Sequence, residues 1–152
     1  MTILHKTNSQ AETVKLGEVL GKTLKSGSIV ALIGDLGAGK TYLTKGIVKG
    51  LGLKAAVRSP TFVIMNIYPG KMPVFHYDCY RLKDESEMEK LGYEEYFYGS
   101  GVTVIEWADR IPGIIPKTAV KVDFKIGKDN KREIRIRTND KLQRTILRGL
   151  SI

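Results

Sequence analysis

The chain is predicted to be an α/β protein: a mixed β-sheet flanked by helices in three layers, with a β-hairpin at its C-terminal end. Three observations carry this prediction. Ser28-Ile-Val-Ala-Leu-Ile33 is a short continuous apolar run, as a strand buried on both faces requires. A glycine-rich turn comes directly after it, and then a helical pattern from Lys40 to Leu51. Beyond Pro116 the pattern changes to strict alternation, the period of a strand with one covered face. At 152 residues and 42% hydrophobic, the chain suffices for one core and is too short for two, so residues 1–152 are read as a single domain.

Ser9 and Glu12 make a capping-box pattern, and Val14, Leu16, Val19, Leu20 and Leu24 recur at helical spacing until Ser26-Gly27, which predicts a first helix. The apolar strand and the glycine-rich turn come next, and the helix after them is closed by Gly50 and Gly52. Thr61 to Tyr68 and Pro73 to Tyr80 are β-rich and separated by Pro69-Gly70, turn chemistry that predicts an antiparallel pair. Asp84 to Leu91 has an acidic first turn and Gly92 behind it, so a short helix is expected. Gly101 introduces Val102-Thr-Val-Ile-Glu106, a second apolar strand that ends in a carboxylate. Val120, Val122, Phe124 and Ile126 then alternate with Lys121, Asp123 and Lys125, and Ile134 and Ile136 alternate with Glu133, Arg135 and Arg137. Gly127 to Asn130 joins the two runs into a hairpin with one apolar and one basic face. A helix from Asp140 to Gly149 is expected to end the chain.

Charge is unevenly placed. Of the net +9, the segment Lys117 to Ile152 carries +7, from eleven Lys/Arg against four Asp/Glu, and the part before it is nearly neutral. A cationic C-terminal surface makes acidic partners, nucleic acid included, a class to consider. The single cysteine, Cys79, excludes an intrachain disulfide and a cysteine-rich zinc framework, and is read as a small core residue. No apolar run reaches membrane-spanning length and the N-terminus lacks a signal-peptide pattern, so a cytoplasmic protein with no membrane contact is expected.

The chemistry centres on Gly34-Asp-Leu-Gly-Ala-Gly-Lys-Thr41, a G-x-x-x-x-G-K-T motif placed after a buried strand and before a helix, the context a phosphate-binding loop requires. Glycines let the backbone curl so that successive N–H groups point at phosphate oxygens, and the helix adds its positive end. The nucleotide-binding residues are therefore read as Asp35, Leu36, Gly37, Ala38, Gly39, Lys40, Thr41 and Tyr42, with Lys40 neutralising the outer phosphates and the Thr41 hydroxyl on Mg²⁺. The fold is accordingly of the P-loop NTPase kind. A magnesium site also needs carboxylates or waters, and phosphoryl transfer needs a group that orients the attacking water. Glu106, at a strand's C-terminal end, is assigned to the metal's coordination or to water activation, and Asp78 to its first or second shell. Either acid can instead cap a strand or pair with Arg81 or Arg110. Thr61, in Ser59-Pro-Thr-Phe62, stands where switch segments contact metal or γ-phosphate, though an ordinary turn fits as well. His76 shares a strand face with Asp78, but a packed core histidine is the simpler reading. Trp107, beside Glu106, is a cover for a base or partner, or a core aromatic.

The segments Gly34–Thr41, Ser59-Pro-Thr-Phe62, His76-Tyr-Asp-Cys-Tyr-Arg-Leu82 and Val104-Ile-Glu-Trp107 occur in the order and spacing of the bacterial TsaE (YjeE) family, which the chain resembles over nearly its whole length. The resemblance implies an ATPase needed for threonylcarbamoyl-adenosine at position 37 of tRNAs, one that acts with two partner proteins, TsaB and TsaD, and resets or activates their complex. It implies ATP and Mg²⁺ as cofactors. Lys40 and Thr41 then match the nucleotide lysine and the metal threonine, Asp78 and Glu106 the acids near the metal, Thr61 the switch-like threonine, and Trp107 the tryptophan beside the acid.

Other classes stay open at this level. A small-molecule kinase is the rival enzyme; it needs an acceptor pocket and arginines over the phosphates, and Arg132, Arg135 and Arg137 qualify only if the hairpin folds over the site, where alternation instead puts them on an exposed face. A GTPase is disfavoured because the Asn-Lys-x-Asp guanine-reading signature is absent, which leaves ATP. The non-enzymatic reading is a nucleotide-regulated RNA-binding module that contacts tRNA through the basic hairpin, although that face lacks interleaved aromatics and is also explained as solvated charge. The acidic run Asp84 to Glu95 is either a docking surface for a basic partner or a solvated helix. Arg58 and Arg81 are candidate arginine fingers within the chain, with a partner arginine as the other source.

Overall fold

The apolar runs form the parallel centre of a seven-stranded sheet. In the computed structural model, which describes residues 2–60, 64–138 and 148, the elements are β1 (Thr2–Thr7), α1 (Gln10–Thr23), β2 (Ile29–Ile33), α2 (Lys40–Gly50), β3 (Met65–Tyr68), β4 (Val74–Asp78), α3 (Ser86–Lys90), α4 (Tyr93–Phe97), β5 (Val102–Glu106), β6 (Val120–Ile126) and β7 (Arg132–Arg137). Strand order is β1-β7-β6-β2-β5-β4-β3. The four central strands β6, β2, β5 and β4 run parallel, while β3 on one side and β7 and β1 on the other are antiparallel to their neighbours. Burial on both faces is why β2 and β5 read as unbroken apolar runs.

Helices α1 and α2 cover one face of the sheet, packing Leu16, Leu20, Leu43 and Ile47 onto Val30, Leu32, Val104 and Val122. The short α3 and α4, with the 3-10 turns Ala108–Arg110 and Pro112–Ile114, cover the other, over Ile29, Ala31, Phe75, Tyr77 and Ile105. Three layers result, as the sequence predicted. Cys79 lies fully inside the second core, where burial pushes its thiol up to about 12.

Several boundaries differ from the sequence reading. The N-terminal residues Thr2–Thr7 form an edge strand paired with β7, Ile3 opposite Ile136; Ile3 and Leu4 are adjacent, so no alternation marks it and only the pairing with β7 makes it a strand. A second short helix, α4, comes after α3 where the sequence pattern predicts none; Gly92, which reads in sequence as the end of α3, is also the left-handed cap (φ 66°) of α4. The capping box at Ser9 is half as expected: the Glu12 N–H donates to Ser9 Oγ at 3.1 Å, but the Glu12 carboxylate accepts from the N–H of Asn8, one residue earlier. Residues 61–63 at the start of the predicted β3 stretch, and the terminal helix expected over Asp140–Gly149, Arg148 apart, lie outside the described residues.

The two large helices meet at main-chain contact. A Cβ on Gly17 would stand 2.3 Å from the Leu43 carbonyl oxygen, on Gly21 2.5 Å from that of Ile47, on Gly46 2.0 Å from that of Val14 and on Gly50 2.2 Å from that of Glu18. Paired glycines four residues apart on each helix therefore set the spacing, and Glu18 adds ion pairs to Lys22 and Lys49. Because the atoms in the way are backbone, they cannot yield as a side chain would. Gly46→Ala is expected to destabilise the protein by about 3 kcal/mol, at the upper end of overpacking costs, measured as a lower denaturation midpoint in urea. A midpoint within experimental error of the parent would show that the helices can move apart freely.

Candidate functional site

Strands β2, β5 and β4 end side by side, and the residues at and just beyond those ends build the site. Glu106, the last residue of β5, is in register with Asp78, the last of β4, and with Leu32 near the end of β2. From β2 the chain enters the glycine-rich loop, in which Gly37 (φ 79°) and Gly39 (φ 109°) adopt left-handed conformations that disfavour a side chain. Gly39 then caps the N-terminus of α2, so the positive end of that helix opens onto the loop.

Lys40, in the first turn of α2, curls back under the loop. Its ammonium donates to the Gly34 carbonyl and, at 3.0 Å, to that of Asp35, and it lies 4.1 Å from the centroid of the Trp107 ring. The residue is only 5% exposed. Burial pulls its pKa below the ordinary lysine value, against the opposing pull of Glu106, Asp78, Asp109 and Asp35. Among the described residues no carboxylate forms an ion pair with it. A buried cation supported only by carbonyl dipoles and a ring face leaves room for an anion, which is what a phosphate group would supply.

The acids beside it are held differently. Glu106 is nearly buried, at 3% exposure, and both its oxygens are engaged: Thr41 donates to Oε1 at 3.1 Å, and His76 Nε2 lies 2.5 Å from Oε2. Asp78 is half-buried; Ser59 Oγ donates to its Oδ2 and the Tyr80 N–H to its Oδ1, both at 3.0 Å. The described residues hold no group of three or more His, Cys, Asp and Glu that could cage a metal. A hydroxyl and two carboxylates beside a phosphate loop fit Mg²⁺, which keeps waters and takes further oxygens from phosphates.

The structure thus gathers Lys40, Thr41, Asp78 and Glu106 at one end of the parallel strands. Asp35 to Gly39 form the loop, with Leu36 projecting into solvent and Ala38 buried. Thr61 lies outside the described residues. His76 is a core histidine that is also bonded to Glu106. Trp107 packs over the Lys40 ammonium and against Tyr80, ring centroids 4.8 Å apart, in a left-handed conformation (φ 57°) that is unusual for a bulky residue. The acidic run is partly used locally: Glu85 accepts from the Gly113 N–H and Glu87 from that of Lys83.

Arg132 requires a correction. Alternation groups it with Arg135 and Arg137 on an exposed face, but it shares the parity of Ile134 and Ile136, and its Nη2 donates to the Gly37 carbonyl at 3.2 Å. The hairpin therefore does touch the loop, a contact that counting by twos from Ile134 makes legible in the sequence. Beside this contact opens a cleft of about 510 Å³, lined by Asn8, Ser9, Thr13, Gly39, Tyr42 and Arg132 among others.

Comparison with known proteins bears on the family and the fold. Residues 7–134 match the family model described as threonylcarbamoyl adenosine biosynthesis protein TsaE. The TsaE of Treponema pallidum (strain Nichols) is 38% identical over 130 residues, covering 86% of this chain and 96% of the relative. The TsaE of Bacillus subtilis (strain 168) is 42% identical over 130 residues, covering 85% and 81%. The crystal structure of Bacillus subtilis YdiB superposes with a TM-score of 0.85 at 33% identity, covering 99% of this chain and 95% of that one. The resemblance seen in the motifs thus extends to the fold and to most of the chain, which belongs to the TsaE family.

Proposed function

We propose that this protein binds ATP with Mg²⁺ and hydrolyses it to ADP and phosphate, as an accessory ATPase in the threonylcarbamoyl modification of adenosine 37 in tRNA. The carrying observation is Lys40: a buried cation that, among the described residues, has no carboxylate partner, under a glycine loop and next to Glu106 and Thr41. In this reading Lys40 binds the outer phosphates, Thr41, Glu106 and Asp78 hold the metal, and Glu106 orients the attacking water. Bound magnesium would neutralise charge on the phosphate oxygens. The adjoining cleft, with Tyr42 and Arg132 on its walls, receives the nucleoside end, and Arg132, in contact with the Gly37 carbonyl, is a candidate to reach a nucleotide from within the chain. The names of the TsaE relatives support the tRNA pathway, and by family resemblance the ATPase acts on the TsaB–TsaD complex in the cytoplasm. No helix among the described residues is long and apolar enough to cross a membrane.

The contact of Arg132 with the loop is the one feature that favours a kinase, and product analysis separates the readings. ATP hydrolysis measured with and without TsaB and TsaD should show release of free phosphate and strong partner stimulation; phosphate transfer to a metabolite would sink the ATPase reading. Lys40→Ala should abolish nucleotide binding or turnover, whereas Glu106→Ala should spare ATP binding and slow hydrolysis by about 100-fold or more. Full activity in the Glu106 variant would refute its role.

Direct tRNA contact, if made by this chain, falls to the basic side of β6 and β7, where Lys125, Arg135 and Arg137 are exposed and Arg137 also pairs with Asp123 at 2.7 Å. Neutralising Arg135 and Arg137 should weaken tRNA association and flatten its salt dependence. Binding that is unchanged across a salt titration would remove this surface from consideration.

Burial of Lys40 also gives a pH dependence. Its native pKa lies below the unfolded value of 10.5, so between the two the unfolded chain binds more protons and stability rises with pH. Replacing it by Met should therefore stabilise the nucleotide-free protein at neutral pH, and the advantage should shrink as the pH approaches 10.5. Denaturant titrations of both proteins across that range check this, and an advantage that grows with pH would contradict it.

A further inference from the structure

A line of buried side chains runs from the segment after α2 to the phosphate loop. The Tyr68 hydroxyl oxygen lies 3.1 Å from the Arg58 carbonyl oxygen, which accepts from Asn66 Nδ2 at 3.1 Å. Tyr68 Oη lies 2.9 Å from His76 Nδ1, His76 Nε2 lies 2.5 Å from Glu106 Oε2, and Glu106 Oε1 accepts from Thr41 at 3.1 Å. Tyr68, His76 and Glu106 are all buried, His76 completely. The line crosses three adjacent strands, β3, β4 and β5, through one side chain from each, with Asn66 opposite His76 in the β3–β4 register.

The directions of these bonds are constrained. The Glu106 carboxylate only accepts, so His76 Nε2 carries the hydrogen that faces it, and Nδ1 of the neutral ring accepts from the Tyr68 hydroxyl, whose hydrogen burial keeps in place by raising the Tyr68 pKa. The Tyr68 oxygen is then left to accept from the Arg58 N–H at 3.4 Å. With the ring fixed through Nδ1, Nε2 faces Glu106, and the carboxylate is held between the ring on one side and Thr41 on the other. Its own strand does not set that rotation, because a glutamate side chain has three free torsions. The same segment after α2 is tied to the second acid, since Ser59 donates to Asp78.

We propose that His76 and Tyr68 are positioning residues for Glu106, which together fix its carboxylate against Thr41 and link that orientation to the main chain at Arg58. This deepens the nucleotide reading of the site and rests on it. Ligand-orienting partners of this kind typically change activity by 10–100-fold when removed. The link also gives the segment around Arg58 and Ser59 a way to affect both acids without touching nucleotide.

The test uses Tyr68→Phe, His76→Ala, His76→Gln and the double variant Tyr68→Phe/His76→Ala in the full chain. Three quantities are read: kcat for ATP, affinity for a non-hydrolysable ATP analogue, and amide hydrogen exchange at Arg58 and Ser59 in the nucleotide-free protein. Tyr68→Phe and His76→Ala should each lower kcat by about tenfold while analogue affinity stays within about twofold, and the double variant should be no worse than the worse single one. Glutamine keeps an N–H for Glu106, so His76→Gln should recover part of what alanine loses. Exchange at Arg58 and Ser59 should quicken in both Tyr68→Phe and His76→Ala. Multiplicative losses in kcat, analogue affinity falling in step with kcat, or exchange unchanged in His76→Ala would each overturn the proposal. If the parent protein neither binds the analogue nor hydrolyses ATP, the functional reading fails, and the exchange measurement still decides whether the line transmits.

Discussion

With Gly17 and Gly21 seated on the carbonyls of Leu43 and Ile47, and Gly46 and Gly50 on those of Val14 and Glu18, helices α1 and α2 touch backbone to backbone, and α2 has no room to slide or turn. That contact aims the N-terminus of α2. From it hang the left-handed cap at Gly39, the inward curl of Lys40 and the reach of Thr41 to Glu106. It also brings the start of α1 to the loop, where a Cβ on Gly39 would meet Thr13 at 3.6 Å and where Asn8 and Ser9 wall the cleft. Side-chain packing alone tolerates shifts of a few tenths of an ångström; a glycine-to-carbonyl contact does not.

The site built on that frame is out of balance by itself. Lys40 gives up water for two carbonyl oxygens and the face of Trp107, with the acids close enough to raise its pKa but not to pair with it. Glu106, by contrast, has one oxygen held by Thr41 and the other by His76. The arrangement separates a cation awaiting an anion from a carboxylate whose direction is already set, and the separation suits a site whose ligand brings both phosphate charge and a metal. The left-handed Trp107 is part of the same design: the conformation costs energy, and it turns the ring over Lys40 directly after the strand delivers Glu106.

The C-terminal hairpin serves two surfaces at once. Its even-numbered residues Ile134 and Ile136 fill the core beneath α1 and α2, and Arg132 continues that row until it meets the loop. Arg135 and Arg137 continue the other row into solvent, where charge costs little. Asp129 and Asn130 make this possible by turning the chain in left-handed conformations (φ 56° and 60°) that such short polar residues tolerate. One residue of slip between β6 and β7 would exchange the two rows and withdraw Arg132 from the site.

The sequence by itself determined the layered α/β class, the central strands and the glycine-rich turn between a buried strand and a helix. These were legible because each is encoded locally: a buried parallel strand is an unbroken apolar run, and a left-handed turn calls for glycine. Tertiary structure alone decided β1, which becomes a strand by pairing with β7. It alone decided that His76 is both core and site, since its partners Tyr68 and Glu106 lie on the neighbouring strands and no local pattern records which side chains meet across a sheet. Contacts between distant segments leave no periodicity in the chain, and the orientation of Glu106 is made entirely of such contacts.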